Sequence, residues 1–125
     1  MVKILVVDDD GDFVFAIQTV LEGAGYAVVT ARSAPEGQAM IASEQPDLLI
    51  LDVMMESPAD GFVLAQTLRR EGWTKPILMM SSIGKVTGLD YGPDQDLVPV
   101  NKFEEKPIAA DRLLASVAEL LRKGA

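Results

Sequence analysis

The chain has 125 residues, 49% of them hydrophobic, a formal net charge of −8, and neither cysteine nor histidine. That length fits one domain over residues 1–125, and the missing residue types exclude disulfides, thiolate chemistry, most zinc sites and every Ser-His or Cys-His nucleophile. The acidity argues against non-specific binding to nucleic acid or anionic membranes, both of which need a positive field.

Taken in chain order, residues 3–7, KILVV, form a short apolar run of strand type that ends at Asp8, Asp9 and Asp10. The start, MVKILVVDDD, has too few apolar residues before its acids to act as a secretory signal, and no apolar run is long enough to span a membrane. A soluble, cytoplasmic protein is expected. Phe13, Ile17, Val20, Leu21 and Ala24 recur at helical spacing, and Gly25 stands where a helix end commonly needs a left-handed residue. YAVVT, residues 26–30, reads as a second strand. Ser33 as cap, Pro35 in the first turn and Glu36 three residues after the cap predict a helix to about Glu44, closed by Pro46. Leu48 to Leu51 is the third strand, running straight into Asp52. Asp60 or Gly61 opens a helix with Phe62, Ala65 and Leu68 inward and Arg69, Arg70 and Glu71 outward. PILMM, residues 76–80, is a fourth strand and Val98 to Phe103 a weaker fifth. Leu113, Leu114, Val117, Leu120 and Leu121 mark a final helix, while Met40 and Trp73 read as packing residues.

Strands that are apolar throughout and alternate with helices imply an α/β fold with a parallel sheet covered on both faces. Ligands of such sheets sit at the carboxyl ends of the strands, near a switch in strand order. Asp8, Asp9 and Asp52 fall at the ends of the first and third strands, Ser81 follows the fourth, and Lys106 follows the fifth. Crowded carboxylates repel one another and are tolerated mainly around a hard cation, for which Mg²⁺ is the natural candidate, since it keeps several waters and leaves room for a phosphoryl group. An aspartate can attack phosphorus to form an acyl phosphate, and a hydroxyl and a lysine would then hold the phosphoryl oxygens. Asp52 is the nucleophile on this reading, with Ser81 and Lys106 beside it. Each piece has a plainer alternative: Asp8 to Asp10 as acids at a helix start, Asp52 as a turn residue, Ser81 and Ser82 as turn formers, Lys106 as a solvated charge before Pro107. Their joint placement at four strand ends favours the site.

The segments ILVVDDD, LLILDVMM, PILMMSS and FEEKP, in this order and at these separations, resemble the four signature segments of the response-regulator receiver domain across nearly the whole chain. The resemblance implies a flavodoxin-like, doubly wound sheet of five parallel strands in the order 2-1-3-4-5. It implies Asp52 as phosphoacceptor, Asp9 as a direct Mg²⁺ ligand, Asp8 as an acid holding the metal mostly through water, and the carbonyl of Met54 as a third protein ligand. Ser81 matches the hydroxyl that moves toward the phosphoryl group, Lys106 the lysine that pairs with it, and Phe103 the aromatic that changes rotamer; plain core is an equally good reading of Phe103.

The chain departs from the common pattern in three places. Glu56 stands where a proline is usual and the following loop is longer, so Glu56 is either a solvated acid or a group at the mouth of the site. Ser82 replaces the usual alanine. Residues 83–97, IGKVTGLDYGPDQDL, carry Gly84, Gly88, Gly92 and Pro93, so the fourth helix of the family is expected to be short or irregular, and to change order on phosphorylation as part of a partner surface. The expected function is a stand-alone receiver, not an enzyme toward other substrates, that takes a phosphoryl group from a histidine kinase or phosphotransfer protein and signals to a downstream protein partner, with no nucleic-acid or membrane partner. The alternative is a receiver-like adaptor that is not phosphorylated. A haloacid-type phosphatase would need an acid at position 54, which is Met54, and a flavin or nucleotide binder would need a Gly-rich loop after the first strand.

Overall fold

The computed structural model describes residues 1–53, 60–81 and 100–124. Met54, Glu56, Ser82 and residues 83–97, with the expectations attached to them, lie outside the described residues. Strands β1 (Lys3–Val7), β2 (Ala27–Ala31), β3 (Leu48–Asp52), β4 (Ile77–Ser81) and β5 (Lys102–Glu105) form one parallel sheet in the order β2-β1-β3-β4-β5. The described helices are α1 (Gly11–Gly23), α2 (Ala34–Glu44), α3 (Asp60–Arg70) and α4 (Ala110–Gly124). This is the flavodoxin-like, doubly wound architecture.

The alternation of side chains along a strand divides the core in two. Odd-numbered Leu5, Val7, Leu49, Leu51, Ile77 and Met79 pack with Ile41 of α2 and Leu64, Ala65 and Leu68 of α3. Even-numbered Ile4, Val6, Leu48, Ile50, Leu78 and Met80 pack with Val14, Ile17 and Leu21 of α1 and Leu113, Val117 and Leu120 of α4. Both faces of β1, β3 and β4 are therefore covered, which is why these strands read as unbroken apolar runs.

Local capping sets where α1 and α2 begin. The Asp10 carboxylate accepts the backbone N–H groups of Asp12 and Phe13, and the Ser33 hydroxyl accepts that of Glu36. Glu36 reaches back to the N–H of Arg32 at 2.8 Å, completing a reciprocal pattern close to a capping box. Gly25 has φ 97°, the left-handed residue expected after α1.

Several boundaries differ from the sequence reading. The second strand starts at Ala27 because the Tyr26 N–H closes the end of α1 on the Leu21 carbonyl at 3.1 Å. Among the described residues the fifth strand is Lys102–Glu105, which runs two residues past the expected end at Phe103. An edge strand needs no continuous apolar run, and only its pairing with Leu78 to Ser81 locates it. On α1 the innermost residues are Val14, Ile17 and Leu21, with Phe13 and Val20 half-buried and Ala24 an exposed cap. Arg69 does not simply face solvent. It donates to the carbonyls of Trp73 and Lys75 and to Asn101 Oδ1, lies 5.8 Å from the Trp73 ring centre, and has its pKa lowered by burial.

Candidate functional site

The register brings the expected residues to one edge. Val7 lies opposite Leu51, Asp52 opposite Met80 and Ser81 opposite Glu105, so Asp8, Asp52, Ser81 and Lys106 all stand at the carboxyl ends of adjacent strands. The Lys106 N–H donates to the Ser81 carbonyl at 2.8 Å, extending the β4–β5 ladder by one bond. Strand parity then separates the side chains. Asp8 and Asp52 continue the even series that faces α1 and α4, as does Lys106 after Glu104. Ser81 and Phe103 belong to the odd series that faces α2 and α3. Phe103 packs against the odd-series core with its ring 6.0 Å from that of Phe62, tilted by 45°.

One carboxylate oxygen from each of Asp8, Asp9 and Asp52 lies within 4.8 Å of the others. Asp8 and Asp52 are buried, whereas Asp9 is exposed. The Lys106 ammonium sits 2.6 Å from Asp8 Oδ2 and 3.6 Å from Asp52 Oδ1, with its side chain 12% exposed. Asp8 Oδ1 accepts the Asp10 N–H at 2.9 Å. The three adjacent acids thus have different work: Asp10 caps α1, while Asp8 and Asp9 face Asp52. The helix-start reading holds for one of the three.

Three acids and one ammonium leave an excess of negative charge at a partly enclosed spot. The donors are hard oxygens and one of the three is open to solvent. That set suits a small divalent cation that keeps part of its hydration, as Mg²⁺ does.

Three contributions had no clear sequence signal. The Phe13 ring lies over the Lys106 ammonium, 4.2 Å from its centre. Gly61 approaches so close that a Cβ there would lie 2.1 Å from the Asp52 carbonyl oxygen. Glu104, two residues before Lys106, is buried and accepts from Ser116 Oγ and Arg112 Nε, each at 2.7 Å. Burial alone would raise the Glu104 pKa. The hydrogen bonds from Ser116 and Arg112, with the positive charges of Arg112 and Lys102, outweigh that and hold it below its ordinary value of 4.5.

A separate groove of about 580 Å³ between α2 and α3 is lined by Ile41, Pro46, Leu68 and Trp73 among others. It borders Pro46 and Lys75, which precede β3 and β4, and so lies at the other edge of the sheet from the acids. No described helix is long and apolar enough to cross a membrane.

A family model described as the response regulator receiver domain matches residues 4–118. The chain is 40% identical over 126 residues to the response regulator MprA of Mycobacterium tuberculosis, covering 98% of this chain and 51% of that protein. It is 38% identical over 129 residues to the DNA-binding dual master transcriptional regulator RpaA of a Synechocystis species, covering 98% of this chain and 50% of that protein. The chain thus spans about half the length of these curated relatives. Among solved structures, the receiver domain of a Francisella response regulator superposes with TM-score 0.86 at 25% identity, with both chains covered completely at 100%. A CheY-like receiver domain protein of Methanospirillum hungatei gives TM-score 0.86 at 24% identity over 99% of this chain and 96% of that one, a likeness of fold alone.

Proposed function

Because the chain belongs to the response-regulator receiver domain family of two-component signalling, we propose that Asp52 accepts a phosphoryl group from a phosphohistidine of a histidine kinase or phosphotransfer protein, in the cytoplasm and with Mg²⁺. One observation carries the reading: a buried carboxylate at a strand end lies within 4.8 Å of two further carboxylates and 3.6 Å from an ammonium.

A carboxylate oxygen of Asp52 attacks phosphorus, the phosphorus–nitrogen bond of the donor breaks, and the imidazole leaves with a proton. Asp8, Asp9 and Asp52 would hold the cation, whose charge, when bound, offsets that of the phosphoryl oxygens. Lys106 turns from Asp8 to those oxygens, and the Ser81 hydroxyl binds another from the opposite side of the sheet edge. Phe103, beside Ser81 in strand parity and against Phe62, is suited to follow that movement. Signalling then passes to a protein partner. The relatives' greater length, and the DNA-binding name of one, bear on what the receiver controls and not on the chemistry at Asp52.

Intact mass after incubation with acetyl phosphate and Mg²⁺ tests the proposal. One phosphoryl mass is expected on the wild type and none on Asp52→Asn. Equal labelling of both proteins would sink it, and labelling of neither would favour the non-phosphorylated adaptor.

The contact between Lys106 and Asp8 makes a second expectation. Asp8 cannot serve an ammonium at 2.6 Å and a divalent cation equally well. Lys106→Met should therefore tighten Mg²⁺ binding roughly three- to tenfold, by removing a nearby like charge, and Asp9→Ala should weaken it. Calorimetric titration measures both; weaker binding by Lys106→Met would contradict this reading of the site.

A further inference from the structure

We infer that Phe13 is a positioning residue for phosphoryl transfer: its aromatic face holds the Lys106 ammonium in the site while the charged partners of that lysine are taken up by other groups. This rests on the proposed role of Asp52.

Among the described residues, three side chains meet the Lys106 ammonium through charge or an aromatic face. Two are carboxylates, Asp8 Oδ2 at 2.6 Å and Asp52 Oδ1 at 3.6 Å. The third is the Phe13 ring, 4.2 Å away at its centre, well inside the distance at which a ring quadrupole attracts a cation. Phe13 is held in the first turn of α1 because its backbone N–H donates to Asp10 Oδ1 at 3.2 Å. Asp10 is tied in turn by its own N–H to Asp8 Oδ1 at 2.9 Å. Asp8, Asp10, Phe13 and Lys106 therefore form a closed circuit of contacts, and the ring occupies a place set by the same acids that make the site.

The carboxylates are unreliable partners for Lys106 during the reaction. Asp8 loses its pull on the ammonium when it serves a cation, and Asp52 loses its full negative charge when it becomes an acyl phosphate. The ring keeps its charge distribution throughout. A lysine side chain has four rotatable bonds and a strongly hydrated head, so without the ring it would swing toward water at the moment its charge is needed against the phosphoryl oxygens. Holding it in place beforehand is a positioning effect on the rate.

A leucine at position 13 would fill the same half-buried space without offering a negative face, which separates this role from packing. Phe13→Leu should be phosphorylated by acetyl phosphate about three- to tenfold more slowly than wild type, the range that a partly shielded cation–π contact supplies. Phe13→Tyr should restore the rate. Replacing the residue with a fluorinated phenylalanine, which keeps the ring's shape and weakens its negative face, should slow the reaction in the same direction. The side-chain ammonium resonance of Lys106, seen by nuclear magnetic resonance only while exchange with water is slow, should be present in the metal-free wild type and Tyr proteins and broadened in the Leu protein. Thermal unfolding confirms that each variant is folded.

Phe13→Leu reacting at the wild-type rate overturns the inference whatever the resonance does. A Tyr protein as slow as the Leu protein also overturns it, leaving only a packing role. A wild type that is not phosphorylated at all overturns the reading of Asp52, and this inference with it.

Discussion

Gly61→Ala is expected to lower the thermal unfolding midpoint by roughly 10 °C or more, and to slow phosphorylation of Asp52 even at temperatures where the variant remains folded. The reason is a close approach of two backbones. A Cβ on Gly61 would lie 2.1 Å from the Asp52 carbonyl oxygen, 2.9 Å from the Asp52 carbonyl carbon and 2.9 Å from the Val53 Cα. None of these is the end of a side chain that can turn aside. The Gly61 N–H also donates to the Val53 carbonyl at 2.9 Å, so the first turn of α3 is fastened to the segment that leaves β3. An added methyl must push α3 away, move the Asp52 peptide, or both, at a cost of about 3 kcal/mol, the upper part of the range for overpacking. Moving that peptide displaces the Asp52 carboxylate relative to Lys106, and a misplacement of this kind would be costly to the proposed transfer. Calorimetry and the acetyl phosphate rate measure the two effects. A variant with the wild-type midpoint would show that α3 does not pack this closely on β3.

Glu104→Ala is expected to destabilise the protein by about 2–3 kcal/mol, somewhat less than the usual cost of breaking a buried ion pair. The Glu104 side chain is 4% exposed and Arg112 69% exposed, so Arg112 can return to water when its partner is removed. Ser116 cannot, because its hydroxyl, buried at 2% exposure, donates to Glu104 Oε2 and would be left unsatisfied. Chemical denaturation of Glu104→Ala and of Ser116→Ala measures this. If Glu104→Ala costs nothing, the carboxylate is not held as described.

The same group contributes a pH dependence. The folded Glu104 pKa is held below its ordinary value of 4.5. The folded state therefore favours the ionised form, and the stabilisation is present in full above that ordinary value. It is lost as pH falls from there through the lower folded value. Glu104→Gln should be less stable than wild type at neutral pH, with the gap narrowing in acid. A gap that widens as pH falls would reverse the sign of the argument.

Much of the fold was legible because its central strands are buried on both faces. KILVV, LLIL and ILMM read as strands from their shortness and the breaks that flank them, and caps at Ser33 and Gly25 are local chemistry that needs no distant partner. The acids, the hydroxyl and the lysine were legible for a similar reason, since each is the last residue of a strand or stands one or two residues beyond it. The fifth strand was misplaced because an edge strand with the sequence KFEE has no continuous apolar run. Only its hydrogen bonds to β4 define it.

By itself, then, the sequence determined the alternation of strands and helices, the strand-end position of Asp8, Asp52, Ser81 and Lys106, and membership of a receiver family through four motifs. Tertiary structure alone decided how those groups are shared out. Asp10 accepts the N–H groups of Asp12 and Phe13 at the start of α1, while Asp8 accepts the Asp10 N–H with one oxygen and meets Lys106 with the other. Phe13 looked like an ordinary member of a helix stripe, and it became a neighbour of Lys106 only when α1 packed on the even face beside the end of β5. The local pattern marks Gly61 as a helix start and says nothing of its contact, and Glu104 carries no local pattern, since one depends on how near α3 comes to β3 and the other on where α4 sets Ser116 and Arg112. Direction along a strand follows from a period of two residues. The identity of what lies opposite follows from register and helix packing between residues far apart in the chain, which no window of sequence contains.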